Sequence, residues 1–217
     1  MPDPDRKASM SEHPVHRGDG SETAGSDYAQ RLQRLEGARW KKLLDVQRPY
    51  RWNLRRLGLG RVLDVGCGIG RNLANLGPDS VGVDHNADSV AAARARGLTA
   101  YTTQEFWDTE VARPGSFDSL LLAHVMEHVD ADVADGIVRE YLPCLRPRGK
   151  VVLITPQEVG FRSDATHVRF VDLAGLDDHA QRLGLAVDRA YSFPFPRPAG
   201  RVFKYNEFVL VASVPGA

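Results

Sequence analysis

The sequence predicts an open α/β fold, a mostly parallel sheet with helices on both faces. Val62-Leu63-Asp64-Val65 is a short apolar run that meets glycines at alternate positions, Gly66, Gly68 and Gly70, and so reads as strand, tight loop and helix N-terminus. A second apolar run, Ser80-Val81-Gly82-Val83, ends on an acid, Asp84. A third, Phe117-Asp118-Ser119-Leu120-Leu121-Leu122-Ala123, is the nearly unbroken kind that parallel sheets bury on both faces.

The 217 residues suffice for one such domain with a sizeable core. Lys plus Arg number 28 and Asp plus Glu 28, so no broad electrostatic grip on nucleic acid or an anionic membrane is expected. Two cysteines, Cys67 and Cys144, make neither a disulfide framework nor a zinc signature, and no stretch is long enough to span a bilayer. A cytoplasmic protein, monomer or homodimer, is expected.

Residues 1–26 are rich in Pro, Asp, Ser, Gly and Glu, without the apolar core of a signal peptide, and predict a flexible arm or remnant. The single domain then runs 27–217. It opens with a helical cap over 27–56, where Leu32, Leu35, Trp40, Leu43, Leu44 and Val46 recur by threes and fours and Pro49 divides the segment into two helices. Tyr50 and Arg51, with Arg39, Trp40 and Trp52, are candidates to line a substrate pocket there.

After Asp84 a helix is predicted over 86–96, capped by Asn86 and ended by Gly97, then a short strand over 98–101 and a loop from Thr102 to Glu105. The strand ending at Ala123 runs into His124-Val125-Met126-Glu127-His128. A helix after Asp130 places Val133, Ile137 and Tyr141 on one face. Gly149 turns into a strand over 150–155. A helix follows with Leu173, Leu176, Ala180 and Leu183 as its stripe and Gly184 as its stop. Residues 185–192 and 206–213 read as the last strands, joined through a proline-stiffened loop over 193–200.

The glycine spacing separates two look-alikes. A dinucleotide fingerprint needs glycine where this chain has Arg71, and the Gly-Lys-Ser/Thr ending of a Walker loop is missing. The stretch 62–70 resembles instead the first motif of the class I S-adenosylmethionine-dependent methyltransferases: an apolar run, Asp, an apolar residue, Gly-x-Gly-x-Gly. Asp84 matches the acid that holds both ribose hydroxyls in that family, a task suited to two acceptor oxygens. The resemblance covers the chain from residue 57 onward. It implies a Rossmann-like seven-stranded mixed sheet of order 3-2-1-4-5-7-6, ending in an antiparallel hairpin, and S-adenosylmethionine as cofactor. The cofactor-binding positions it implies are Asp64, Gly66, Gly68, Gly70, Asn72, Asp84, His85 and Ala123. Gln104 and Glu105, with Thr103, occupy the loop where the family contacts adenine.

The second constellation is His124, Glu127, His128 and the distant His167. Ligands in open α/β sheets sit beyond the carboxyl ends of the strands, so these side chains fall where the transferred methyl should be. The set is similar to the Glu-x-x-Glu-His plus distant His arrangement of the small-RNA 2′-O-methyltransferases and some quinone-ring O-methyltransferases. Glu127, His128 and His167 match its later positions, and His124 stands where the first Glu is expected. The resemblance implies a divalent metal on Glu127, His128 and His167, magnesium first, although histidine ligation suits Mn, Co or Zn by hardness. His124 is a candidate general base, with coordination as its alternative role, and Glu127 is grouped with it as catalytic. Asp164 is a candidate for substrate binding, for ligation, for support of His167, or for a turn.

A hydroxyl is a poor nucleophile at neutral pH while a sulfonium methyl is already activated, so a metal and a base would supply what is lacking. The neutral chain points to a small polyol or sugar acceptor rather than RNA. In overall character, rather than in any one motif, the chain resembles the actinobacterial sugar O-methyltransferases of methylated mannose polysaccharide assembly. The alternatives are a catechol or quinone-ring methyltransferase without metal, and a non-catalytic protein of the same fold.

Overall fold

The computed structural model of the protein describes residues 47–216. The arm over 1–26 and the first cap helix lie outside the described residues. The second cap helix, α1 (Arg48–Arg56), carries Pro49 in its first turn, where a missing N–H costs nothing.

The remaining elements are β1 (Val62–Val65), β2 (Val81–Asp84), α2 (Ala87–Ala95), β3 (Ala100–Thr102), α3 (Thr103–Trp107), β4 (Phe117–Ala123), α4 (Ala131–Tyr141), β5 (Leu145–Pro156), α5 (Glu158–Arg162), α6 (Leu173–Arg182), β6 (Ala186–Phe193) and β7 (Glu207–Ser213). The sheet order is β3-β2-β1-β4-β5-β7-β6, as the resemblance implies. The first five strands are parallel, and β7 runs antiparallel to both β5 and β6. The two-residue period of the strands divides the core. Leu63, Leu120, Leu122, Val151 and Leu153 face α4 and α6. Val62, Leu121, Val152 and Ile154 meet Leu54 of α1 and Phe193 on the opposite face.

Local signals account for most helix ends. The Asn86 side chain accepts the Ser89 amide at 3.0 Å to cap α2, and Gly97 and Gly184 take positive φ just past α2 and α6. Among the described residues no helix is long and apolar enough to cross a membrane.

Four expectations need correcting. No α-helix follows the glycine loop: residues 71–79 form turns and one 3₁₀ turn, Leu73–Asn75. Only six residues separate Gly70 from Gly77-Pro78, too few to repay helix nucleation. On α4 the inward residues are Ala134, Asp135, Val138 and Tyr141, while Val133 is 52% exposed. Two apolar stripes compete on that helix, and the sheet selects the one a residue further along. Thr102 to Glu105 is no loop, since Thr102 and Glu105 form the capping box that starts α3. Strand β5 also begins earlier than predicted, at Leu145.

A buried ionic cluster between α4 and α6 was not predicted. Asp135 lies against His179 Nδ1 and accepts from Arg182 Nε at 2.6 Å. Burial pushes the Asp135 carboxyl up, but the hydrogen bonds from Arg182 and His179 outweigh it and hold the group below its ordinary value. A lowered carboxylate pKa contributes stability above the unfolded value, which is lost as pH falls through the folded one. Asp135→Asn is therefore expected to cost about 2–3 kcal/mol at neutral pH. The urea midpoint should fall with an unchanged slope, and the variant should lose less than wild type between pH 5 and 3.

Candidate active site

The glycine loop and Asp84 meet where β1 and β2 end. The amides of Gly66 and Cys67 both donate to the Val83 carbonyl, at 2.8 and 3.0 Å, and Gly66, Gly68 and Gly70 have φ of 74°, 53° and 78°. Left-handed backbone explains the choice of glycine, and so do near neighbours. A Cβ on Gly66 would lie 2.3 Å from Val125 Cγ2, and one on Gly70 2.3 Å from Leu98 Cδ1. Close approach at these two positions is thus to protein atoms.

Asp84 accepts the Gly68 amide at 2.7 Å on Oδ2 and the Asn86 amide at 2.9 Å on Oδ1, with His85 Nδ1 3.5 Å from Oδ1. A carboxylate has about four lone-pair directions, so capacity for two hydroxyls remains. Asp64 is 1% exposed and receives the Leu73 amide; burial, reinforced by the charge of Asp84, pushes it up to about 8. It supports the loop from behind and presents almost no surface to a ligand. The Asn72 carbonyl accepts the Asn75 amide in the turn after the loop. Ala123 is packed into the core at the end of β4.

Beyond β3, Gln104 is exposed on α3, whose first turn stands beside Asp84 because Asp84 pairs with Thr102. The Glu105 carboxylate accepts the Thr102 amide at 2.8 Å and pairs with Arg94 at 2.7 Å, so it is committed to the helix start.

Val125, which touches Gly66, opens the other half of the site. After Ala123 the chain turns sharply, with His124 at φ 60° and its amide on the Ile154 carbonyl, into the 3₁₀ turn Met126–His128. Met126 anchors this turn in the core. The Glu127 carbonyl accepts the amides of Val168 and Arg169, and the Arg169 guanidinium donates to the carbonyls of Val129 and Met126. These bonds fasten the loop bearing His167 onto the turn bearing Glu127 and His128.

The ligand atoms of Glu127, His128 and His167 lie within 4.8 Å of one another. His167 Nδ1 faces the Phe161 carbonyl at 2.8 Å and His128 Nδ1 the Thr166 carbonyl at 3.2 Å, so each ring keeps Nε2 for another partner. Glu127 is fully buried, and its Oε2 has no hydrogen-bond partner. A buried carboxylate oxygen without a partner calls for a cation or a proton. Burial lowers the His128 pKa, keeping its ring neutral and able to ligate. The two imidazoles and one carboxylate fit a divalent ion.

His124 stands outside that cluster. Its Nδ1 is 3.2 Å from Glu127 Oε1 and its Nε2 2.9 Å from Glu207 Oε1. Burial would lower its pKa, but the bonds to Glu127 and Glu207 and their charges prevail and raise it to about 10. The two carboxylates facing its two ring nitrogens thus favour the imidazolium form of His124. The coordinating alternative is not what the geometry shows. Glu207 was missed by sequence reasoning. Its signal was the antiparallel return of the last strand, which sets its first residue at the carboxyl edge, opposite Pro156.

Tyr50 reaches this edge, but its hydroxyl donates to the Tyr205 carbonyl and its ring packs edge-on to Phe193 at 5.8 Å. Burial, then the Glu207 charge, raises its pKa above the ordinary phenol value. Arg51 follows it on α1, half-buried. Asp164 takes the Thr166 amide and hydroxyl on Oδ1, which makes it a turn former at the base of the His167 loop.

An open sheet of this order, with a glycine loop and an acid at adjacent strand ends, defines the class I S-adenosylmethionine-dependent methyltransferase architecture. A model of the methyltransferase domain matches residues 26–190, and the chain belongs to that family. S-adenosylmethionine is the cofactor that goes with it. The chain is 36% identical over 103 residues to a ubiquinone biosynthesis O-methyltransferase of Xanthomonas euvesicatoria pv. vesicatoria (strain 85-10), covering 44% of this chain and 42% of that protein. The match therefore spans less than half of that relative. Among solved structures it is similar to a SAM dependent methyltransferase from Archaeoglobus fulgidus, with TM-score 0.63 and 19% identity, over 86% of this chain and 99% of the other. It is also similar to magnesium protoporphyrin IX methyltransferase from Synechocystis PCC 6803 with bound SAH, with TM-score 0.59 and 18% identity, over 88% and 96%. At such identities the likeness is one of fold.

Proposed function

We propose that the chain is an O-methyltransferase that moves the methyl of S-adenosylmethionine to a hydroxyl of a small polar acceptor, with a divalent ion on Glu127, His128 and His167. The observation that carries this is the convergence of those three groups, one with an unpartnered buried oxygen, on a turn whose Val125 packs against the glycine loop.

In this reading Asp84 takes the ribose hydroxyls, and Gly68 with its neighbours lies under the methionine part. The ion, when bound, supplies Lewis acidity that lowers the acceptor's pKa. Glu127, His128 and His167 hold it, their Nδ1 bonds to backbone carbonyls fixing both rings. With the Glu127 charge neutralised, His124 keeps Glu207 as its carboxylate partner, and the added positive charge favours the neutral ring. The neutral ring then takes the acceptor proton on its unprotonated nitrogen, an effect worth about a hundredfold to ten-thousandfold.

A sugar with vicinal hydroxyls suits the balanced charge and the metal, and a methylated mannoside is the specific candidate. A ring hydroxyl of a quinone-type acceptor is the second reading. It is favoured by the relative named for ubiquinone biosynthesis and by the Phe161 ring stacked on His167 at 5.4 Å. Radiolabelled methyl transfer to sugars, catechols and short RNAs, with and without chelator, tests both readings. Metal-dependent labelling of a sugar is expected. Labelling of catechols alone selects the second reading, and saturable RNA methylation at physiological salt overturns both.

A further inference from the structure

We propose that Glu207 is a positioning residue: its carboxylate, 2.9 Å from His124 Nε2, fixes the orientation of that ring at the rim of the site. This rests on the function proposed above. His124 needs such a hold. Its side chain is 40% exposed, and its backbone lies in the left-handed region that non-glycine residues enter at a cost. The Glu207 carboxylate, 13% exposed and 2.9 Å from Nε2, is the group that can supply it.

Glu207 is itself held firmly. Its carbonyl accepts from the buried Gln157 Nε2 at 2.9 Å. Asn206, one residue earlier, donates to Gln157 Oε1 at 3.0 Å, and its carbonyl takes the Gln157 amide at 3.0 Å. Gly200 packs over Gln157 so closely that a Cβ would fall 1.9 Å from Oε1. The Tyr50 hydroxyl fastens the Tyr205 carbonyl on the other side. Gln157 Nε2 also donates to Ser192 Oγ on β6 at 2.6 Å, so the network ties the ends of β5, β6, β7 and α1 together behind one carboxylate, which meets the site at His124. The arrangement is a carboxylate behind an imidazole, in which the carboxylate fixes the orientation of the ring.

The step balances as follows. The acceptor oxygen bonds the methyl carbon while the carbon–sulfur bond breaks, its electron pair staying on sulfur. The acceptor proton leaves to the base of the function proposed above and from there to water.

The test uses Glu207→Ala and Glu207→Gln in the full chain, with cofactor affinity as the check on folding. In the ¹⁵N-histidine spectrum of wild type loaded with cofactor and Mg²⁺, a His124 Nε2–H resonance protected from solvent exchange is expected. Glu207→Ala should lose it, and kcat should fall about 10- to 100-fold with the acceptor KM changed less than about twofold. Glu207→Gln, which keeps an acceptor oxygen, should restore the resonance and part of kcat. Metal-dependent transfer that is indifferent to Glu207→Ala, with the resonance intact, overturns the proposal alone. A protected resonance that depends on Glu207, in a protein whose transfer ignores chelators, keeps the Glu207–His124 link and overturns the metal reading instead.

Discussion

Chelation is expected to reduce methyl transfer at least about a thousandfold while leaving S-adenosylmethionine binding nearly intact, because several kcal/mol of transition-state stabilisation would be withdrawn from one half of the site only. Glu127, His128 and His167 are reached through Val125 and Gly66, but no hydrogen bond between them and Asp84 or the glycine amides is present among the described residues. His128→Ala and His167→Ala should each behave like the chelated wild type. Isothermal titration with Mg²⁺ and Mn²⁺ should show their binding lost. The sign of the pH dependence follows from the ligands. Burial lowers the His128 pKa, so the ring is free at neutral pH and takes up a proton only in more acidic solution than an ordinary histidine. Metal affinity and activity should fall together on acidification, below about pH 6. Full activity in excess chelator, with near-normal His128→Ala and His167→Ala, would return these residues to a structural role.

Asp84→Ala is expected to weaken S-adenosylmethionine binding by a hundredfold or more. Each charge-assisted hydrogen bond to a ribose hydroxyl is worth about 1.5–3 kcal/mol, and in the function proposed above the substitution would remove two. It also strips the Gly68 and Asn86 amides of their partner, which loosens the glycine loop and the start of α2 together. Asp84→Asn removes the charge and one of these two amide bonds but leaves one oxygen to accept the other. Calorimetric affinity should rank wild type, Asn and Ala in that order, with the melting temperature of Asp84→Asn between those of wild type and Asp84→Ala. Unchanged affinity in Asp84→Ala removes Asp84 from the cofactor site.

The strands, the loop and the caps were legible because each rests on neighbours in sequence. Val62 to Val65 and Phe117 to Ala123 announce buried strands by composition, and Gly66, Gly68 and Gly70 announce left-handed backbone. Asn86 announces a cap by its side chain alone. The three metal-type ligands were legible as residue types at strand ends, and their convergence follows from the open sheet.

Other features belong to the tertiary structure. Glu105 looks like a free polar group until Arg94, on another helix, pairs with it, and α4 carries two plausible apolar stripes until the sheet chooses one. The glycine at 66 is required by Val125 as much as by its own φ, a contact between positions 59 residues apart. Glu207 meets His124 only because the last strand runs back antiparallel, bringing together residues 83 apart in sequence. Asp135, His179 and Arg182 pair across two helices that share no sequence signal. The division has one physical cause. Backbone preference and hydrophobic period act within a few residues, so the sequence by itself determined most of the elements, the ligand loop and the types of group at its rim. Which side chain is spent on folding and which is left for chemistry depends on long-range pairing, and that is decided only when the sheet closes.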